Sequence, residues 1–284
     1  MTTPRAHRLL VPLLILLATL LVREWRVAPD GKLHAYFLDI GQGDGIFLRG
    51  PQGQQVLIDG GPDASVLEEM GKQMSFFDRT IDIIVLSHPH LDHLSGLVDV
   101  MKRYDVSMIL LPDTPSDIPR FQEFLALIQE KNIPVLLADA KKDLDLGGGF
   151  YLDVLWAPGP ATGTSDANES CAIVKARFAN DSVLFTGDIT EKEENAILAA
   201  GADVRSTVLK IAHHGSRFAT STGFLLAVTP QTAVISAGEN TFGHPHSTIL
   251  RRLENFGVSL RSTREEGTVE EVVWGWGTEG GKGR

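Results

Sequence analysis

The sequence predicts a layered α/β fold, and three observations carry that prediction. Short apolar runs of strand character alternate with stretches whose apolar residues recur at helical spacing. Gly, Pro, Asn and Asp separate these runs, and neither an internal repeat nor a low-complexity tract interrupts the rhythm. A chain of 284 residues, 43% hydrophobic and 22% charged, is large enough to bury one substantial core. Together these point to sheets covered by helices in a single domain.

The N-terminal thirty residues stand apart from that domain. Arg5 and Arg8 precede Leu9–Val22, which is apolar except for Thr19. A run of about 14 apolar residues suits an export signal and falls short of the ~20 of a typical membrane-spanning helix. REWRVAPDG follows without a small-residue cleavage pattern. Residues 1–30 are therefore expected to be a retained signal-anchor and linker, with a cleaved signal peptide as the alternative. Arg5 and Arg8 favour a cytoplasmic N-terminus and an extracytoplasmic domain, held at the membrane or secreted if cleaved, while Arg23 and Arg26 pull the other way. Residues 31–284 are expected to form the folded domain.

The elements follow in order. KLHAYFLDIGQGDGIFLRG and QQVLIDGG read as a hairpin or meander around the turn GPQG. Residues 65–77 suit a helix, IDIIVLS a buried strand, and DHLSGLVDVMKRY a helix. VSMILLP, PRFQEFLALIQEKN and PVLLAD continue as strand, helix and strand. GGFYLDVLWAP and SCAIVKARFANDSVLFTGD are strands, the latter turning at Ala-Asn-Asp. GDITEKEENAILAAG is a helix whose acidic first turn suits its dipole. STVLKIAHHGS and QTAVISAG are strands, a helix is expected over 247–256, and SLRSTREEGTVEEVVWGW closes the chain.

Charge and cysteine content narrow the function. Setting aside residues 1–30 removes Arg5, Arg8, Arg23, Arg26, Glu24 and Asp30, and takes the net charge from −10 to −12. No Lys/Arg cluster is present in the remainder, which argues against tight DNA binding without a bound cation. The single cysteine, Cys171, rules out an intrachain disulfide and a Cys-rich zinc site, and reads as a small core residue.

Several strands end in metal-capable residues. VLIDGG ends in Asp59, IIVLSHPHLDH in His88, His90, Asp92 and His93, and VLFTGD in Asp188. VLKIAHHGS ends in His213 and His214, and VISAGENTFGHPH leads to His244 and His246. Aligned strands would gather these ends at one edge of the scaffold. His88 and His90, two apart in an extended turn, face one side, while Asp92 and His93 begin a helix and turn back toward them. Imidazoles with carboxylates suit zinc, manganese or iron, whereas calcium prefers oxygen alone. His88 and His90 would hold one ion, Asp92 and His93 a second, and Asp188 would bridge them. Such a pair, about 3.5–4 Å apart, activates a shared water and stabilises charge on a phosphoryl or carbonyl oxygen.

His88-Pro-His90-Leu-Asp92-His93 resembles the H-x-H-x-D-H signature of the metallo-β-lactamase superfamily. Asp59 looks like its first motif and Asp188 like its bridging aspartate. The resemblance implies an αβ/βα four-layer sandwich and two divalent ions, manganese or zinc. FLDIGQGDGIFLRG, LSHPHLDHLSGL, VLFTGDITEKEE, LKIAHHGS and GHPH are together similar to the metallo-β-lactamase-like domain of the ComEC/Rec2 DNA-internalisation family, over residues 33–272. That family's competence proteins carry a multi-helix channel domain, and one apolar segment is present here, so a separate membrane channel protein is an expected partner. No histidine lies between His93 and Asp188, where the superfamily has a third motif; Asn168 and Ser170 occupy that stretch. A first site with more oxygen ligands would favour manganese over zinc.

The remaining residues are read beside this framework. Asp59 is expected to orient His93 from behind, with direct ligation as the alternative. Asp44 lies in GQGDG, read as a tight turn that brings it toward the site. From HHGS, His213 is favoured as a ligand, with His214 and Ser216 as substrate contacts. His246 competes with His213, and His244 would donate a proton to the leaving oxygen. Spacing alone does not rank these four histidines. His7 and His34 read as ordinary, and Trp274 and Trp276 as edge packing, with base stacking as the alternative.

The expected function is that of an exported, metal-dependent phosphodiesterase or nuclease, with DNA as the substrate implied by the resemblance. Asp92, Asp188, His213 and His244 would carry the chemistry. Two alternatives stand: a hydrolase of a small phosphoester, lactone or thioester, and a noncatalytic accessory module of a DNA-uptake channel.

Overall fold

Period-two alternation within the strands decides the layering. The computed structural model describes residues 4–140, 142–158 and 167–274, with the side chains of residues 4–9, 167 and 169 outside that description. The first half contains α1 (Pro4–Val27), β1 (Leu33–Phe37), β2 (Ile46–Arg49), β3 (Gln55–Ile58), α2 (Ser65–Lys72), β4 (Thr80–Val85), α3 (Leu91–Arg103), β5 (Asp105–Leu111), α4 (Pro119–Lys131) and β6 (Val135–Leu137). The second contains β7 (Asp143–Gly147), β8 (Phe150–Trp156), β9 (Ile173–Phe178), β10 (Asp181–Phe185), α5 (Glu191–Ala199), β11 (Val208–Lys210), α6 (Thr222–Val228), β12 (Thr232–Ile235), α7 (Ser247–Asn255), β13 (Ser259–Ser262), α8 (Thr263–Glu266) and β14 (Val269–Val273).

Two seven-stranded sheets result, in the orders β14-β1-β2-β3-β4-β5-β6 and β13-β12-β11-β10-β9-β8-β7. Phe37, Ile58, Val85 and Leu110 of the first sheet meet Leu152, Val174, Phe185 and Val234 of the second between the sheets. The alternate residues face outward. Tyr36, Leu57 and Ile84 pack under Met70, Leu97 and Phe124 of α2, α3 and α4. Leu184, Leu209 and Ile235 pack under Ile197, Phe224 and Leu253 of α5, α6 and α7. Helix, sheet, sheet, helix is the expected four-layer sandwich, because each sheet has two apolar faces to bury.

Three local details differ from the sequence reading. The helix expected over 65–77 ends at Lys72. DLDLG forms β7, which pairs with β8 through a glycine turn at 147–149; its Asp/Leu alternation suits a strand, but aspartate is a poor strand former and the run is short. TGFLLAV forms α6, capped by Ser221 Oγ accepting from Phe224 N at 3.2 Å. Seven residues give too short a window for helical periodicity to register.

The topology sets where a site can form. β3 and β4 run parallel, as do β10, β11 and β12, so all five deliver their C-terminal ends to shared edges. β2 is antiparallel to β3, which brings the segment before β2 to that edge as well.

At the N-terminus, α1 meets the domain through its last turns. Arg23 donates to the carbonyls of Gly71 and Met74, and Glu24 Oε1 accepts from Phe76 N at 2.8 Å. Leu10, Leu13, Leu14, Ile15, Leu17 and Leu21 are exposed. Among the described residues no helix is long and apolar enough to cross a membrane.

Candidate metal centre

Asp59 follows β3 with φ 56, a left-handed conformation that aspartate tolerates better than most residues. Its N–H donates to Val85 O at 2.8 Å, which lays its carboxylate across the end of β4. There it accepts from Ser87 N at 2.8 Å, from Ser87 Oγ at 2.6 Å and from His93 Nδ1 at 2.8 Å. Ser87 has one hydroxyl proton, directed at Asp59, so its oxygen accepts from His88 Nδ1 at 3.0 Å. His214 Nδ1 donates to Ser236 O at 2.9 Å, since a carbonyl can only accept. In His88, His93 and His214 alike, the protein holds the proton on Nδ1 and leaves Nε2 as a lone pair. That is how proteins fix a metal-binding imidazole.

Two of these lone pairs converge on Asp188, and the third meets His90. His88 Nε2 lies 3.0 Å from His90 Nδ1. His93 Nε2 lies 3.3 Å, and His214 Nε2 3.5 Å, from Asp188 Oδ2. His214 Nε2 is also 3.5 Å from Asp92 Oδ2. Asp92, His93, Asp188 and His214 can each offer one donor atom within 4.8 Å of the others, and Asp44, Asp59 and His93 form a second such group. His93 Nε2, His214 Nε2 and Asp188 Oδ1 are buried with no hydrogen-bond partner. Buried polar atoms are normally paired, so orphaned Nε2 atoms on two histidines that both lie against Asp188 Oδ2 fit a bound cation.

Backbone geometry aims these groups. His90 caps α3, which puts Asp92 in the positive first turn and His93 directly behind it. His213, His214 and Gly215 all have positive φ (49, 53 and 84), a left-handed turn that folds His214 back toward Asp188. Two non-glycine residues there cost about 1–2 kcal/mol each, a strain found at functional sites. His213 N donates to Gly187 O at 3.1 Å and ties this turn to the strand end that carries Asp188. Gly43 packs on Asp92, where a Cβ would collide with the Asp92 carbonyl, and so Asp44 N reaches Asp92 O at 3.1 Å.

The pocket gathers negative charge. Four carboxylates, Asp44, Asp59, Asp92 and Asp188, line the pocket beside one buried lysine, Lys210, which pairs with Asp44 and lies 3.9 Å from Asp188 Oδ1. Burial opposes charge on His214, yet Asp188 and Asp44 overcome it and push its pKa up to about 9. Burial likewise opposes charge on His93, and Asp188 and Asp59 raise it well above its usual value. Burial would raise Asp188, but His214 and His93 hold it well below the ordinary carboxylate range. His88, lowered by burial and by His93, is neutral at physiological pH. The cluster thus demands positive charge, which protons or divalent cations can supply to the same atoms.

The other expected residues fall around this core. His213 lies outside the four-donor group, its Nε2 3.9 Å from Asp188 Oδ2. His246 caps α7, its Nδ1 accepting from Thr248 N at 3.2 Å, and is also outside the group. His244 is half-buried, its ring 5.7 Å from that of His213. Burial and His213 lower its pKa, which favours a base or proton relay over a standing acid. Asn168 and Ser170 are buried on a 3₁₀ turn, and Ala172 N donates to Ser87 O at 2.9 Å, which brings that segment beside the histidine cluster. Ser216 is buried, its Oγ accepting from Phe218 N at 3.4 Å. His34 sits apart between Asp30 and Glu270. Trp274 is exposed with Lys32 over its ring, and Trp276 lies outside the described residues.

Sequence reasoning missed Lys210, Ser87 and the Ser236 carbonyl. Lys210 had a signal: a lysine between Leu209 and Ile211 in an otherwise apolar strand. Ser87 and the Ser236 carbonyl had none, because their roles are set by what packs across from them.

An αβ/βα sandwich with a His/Asp pocket where the parallel strands of both sheets end defines a metal-site protein of the metallo-β-lactamase type. The chain belongs to the metallo-β-lactamase superfamily, whose family model matches residues 38–239. It is 27% identical over 254 residues to ComE operon protein 3 of Bacillus subtilis (strain 168), an alignment covering 82% of this chain and 32% of that protein. It is 26% identical over 259 residues to Competence protein ComA of Neisseria gonorrhoeae, covering 90% and 34%. The chain thus spans about a third of the length of the curated relatives it matches. Among solved structures it is similar to the metallo-β-lactamase fold protein YhfI of Bacillus subtilis, with a TM-score of 0.57 at 13% identity, covering 84% of this chain and 99% of that one.

Proposed function

We propose that this chain is a divalent-metal-dependent phosphodiesterase that cleaves DNA. The observation that carries the reading is the shared proton placement of His93 and His214, which leaves two Nε2 atoms without a hydrogen-bond partner beside Asp188, that of His214 also beside Asp92. Such a donor set serves a metal and has no other evident use in a core.

In this reading Asp92, His93 and His214 would hold one ion, His88 and His90 would hold a second, and Asp188 would help to hold both. The reading gives the ligand role to His214, where the sequence favoured His213. Manganese fits a first position that has Asn168 and Ser170 nearby and lacks a third histidine. Divalent ions supply Lewis acidity and lower the pKa of water, which phosphodiester hydrolysis needs at neutral pH. Asp59 keeps the proton on His93 Nδ1, and Ser87 passes the same constraint to His88. His213 and His244, both with pKa values lowered by burial, flank the site as neutral imidazoles able to accept or relay a proton. The similarity to a competence protein supports DNA as the substrate. The exposed apolar side chains of α1 support a place at a membrane for the domain.

The test is hydrolysis of labelled single- and double-stranded DNA by the full chain in detergent, with manganese, zinc or chelator, beside an Asp92→Ala/Asp188→Ala variant. Cleavage that needs metal and both aspartates is expected. A folded, metal-loaded protein that leaves DNA uncut would overturn the reading and move the substrate to small phosphoesters.

A further inference from the structure

Two phenylalanines stand in solvent on loops that end at the metal centre. Phe218 is 60% exposed and Phe242 72% exposed, and Leu91 beside Asp92 is exposed as well, so this edge of the protein presents apolar side chains to solvent. Neither loop is loose. Asn240 braces the Phe242 loop four times, accepting from Phe242 N at 3.1 Å and His244 N at 3.0 Å, and donating to Gly238 O and His244 O. The Phe218 carbonyl accepts from Glu191 N at 2.9 Å, which ties its loop to the start of α5, three residues past Asp188. Loops braced in this way present their side chains for contact with little backbone freedom left to lose on binding.

Their neighbours indicate which contact. The Phe242 ring lies 5.9 Å from that of His244, which lies 5.7 Å from that of His213, whose Nε2 is 3.9 Å from Asp188 Oδ2. Phe242 is therefore two rings away from the carboxylate at the heart of the pocket. Phe218 follows the His213–Ser216 turn directly, and the Arg217 guanidinium lies 4.6 Å over its ring. An aromatic face beside an exposed cation is the pairing by which proteins hold a base and its phosphate. In a chain of net charge −10, it places positive charge where a phosphodiester must arrive.

We propose that Phe218 with Arg217, and Phe242, are substrate-positioning residues that stack on unpaired nucleobases flanking the scissile phosphate. The proposal rests on the phosphodiesterase reading and deepens it by making the preferred substrate single-stranded. In a duplex the base faces are covered by their neighbours, and these rings have nothing to stack on.

Two measurements on the full chain separate this proposal from the reading beneath it. The first is stopped-flow fluorescence of a single-stranded 2-aminopurine oligonucleotide with manganese, read in the binding phase before turnover. Quenching on binding is expected, lost in Phe218→Ala/Phe242→Ala and kept in Phe218→Trp/Phe242→Trp; equal quenching in the alanine variant overturns the proposal whatever the activity. The second compares cleavage, with manganese, of a single-stranded oligonucleotide and an abasic oligomer of the same length. The wild type is expected to show a KM roughly tenfold lower for the oligonucleotide. The alanine variant should lose that preference at unchanged kcat for the abasic oligomer. A preference that survives the substitutions sinks the stacking role alone, whereas no cleavage of either substrate counts against the phosphodiesterase reading.

Discussion

Lys210 and Asp44 form an ion pair wholly inside the protein, each side chain at most 1% exposed, directly beside Asp188. The Lys210 ammonium also donates to Gly187 O at 3.3 Å, so one group joins β11 to the strand end that carries Asp188. Burial disfavours its charge, and Asp44 and Asp188 more than compensate, so its pKa rises.

Lys210→Met should therefore destabilise the metal-free protein by up to about 3–5 kcal/mol, because buried Asp44 loses its direct ion-pair partner and keeps only the more distant imidazoles of His214, at 3.5 Å, and His93, at 3.7 Å. Lys210→Met/Asp44→Leu should recover much of the loss. Urea unfolding in chelator measures both. A single variant within about 0.5 kcal/mol of wild type would mean that the pair does not hold this edge together.

Asp59→Asn should weaken metal binding by roughly 10- to 100-fold without removing a ligand. The carboxylate accepts from Ser87 N, Ser87 Oγ and His93 Nδ1, and an amide has one acceptor oxygen for three donors. Manganese titration followed by electron paramagnetic resonance reads the change. Unaltered affinity would show that His93 needs no orienting partner.

His214→Ala and His213→Ala discriminate between neighbours that the sequence could not rank. His214→Ala should lower metal content sharply, since it removes one of four donors. His213→Ala should leave content near wild type and slow turnover. Elemental analysis after dialysis decides, and the opposite pattern would return the ligand role to His213.

Far from the metal centre, Asp30 gives a prediction about acid stability. Burial raises its pKa, but hydrogen bonds from His34 and Lys32 prevail and lower it to about 2, from 3.8 in an unstructured chain. A depressed carboxylate contributes stability that is present above pH ~4 and lost as the pH falls through about 2. Asp30→Asn should thus flatten the stability curve between pH ~4 and ~2 and leave its neutral limb parallel to wild type. Urea midpoints across that range test it, and identical acid limbs would remove Asp30 from the account.

Much of the fold was legible in the sequence, because strand alternation and helical spacing record which faces are buried. The departures came where that record is thin. Seven residues of α6 are too few to show a period, and the aspartates of β7 have low strand propensity although they alternate with leucine. For the site, the cluster from His88 to His93 and the strand-end Asp59 and Asp188 were legible because metal chemistry demands those residue types close together.

The sequence by itself determined the layered α/β class and a set of His and Asp donors at strand ends, since both follow from local pattern and composition. Only the tertiary structure decided which donors meet. His213 and His214 are identical in type and adjacent in the chain, and a left-handed turn with a hydrogen bond to Ser236 O aims His214 at Asp188 while His213 lies outside the donor group. The sequence likewise showed a lysine in an apolar strand, but its meaning came from Asp44, 166 positions earlier, which the sheet topology brings against it. Local pattern is written along the chain, whereas partnership depends on contacts that only folding makes.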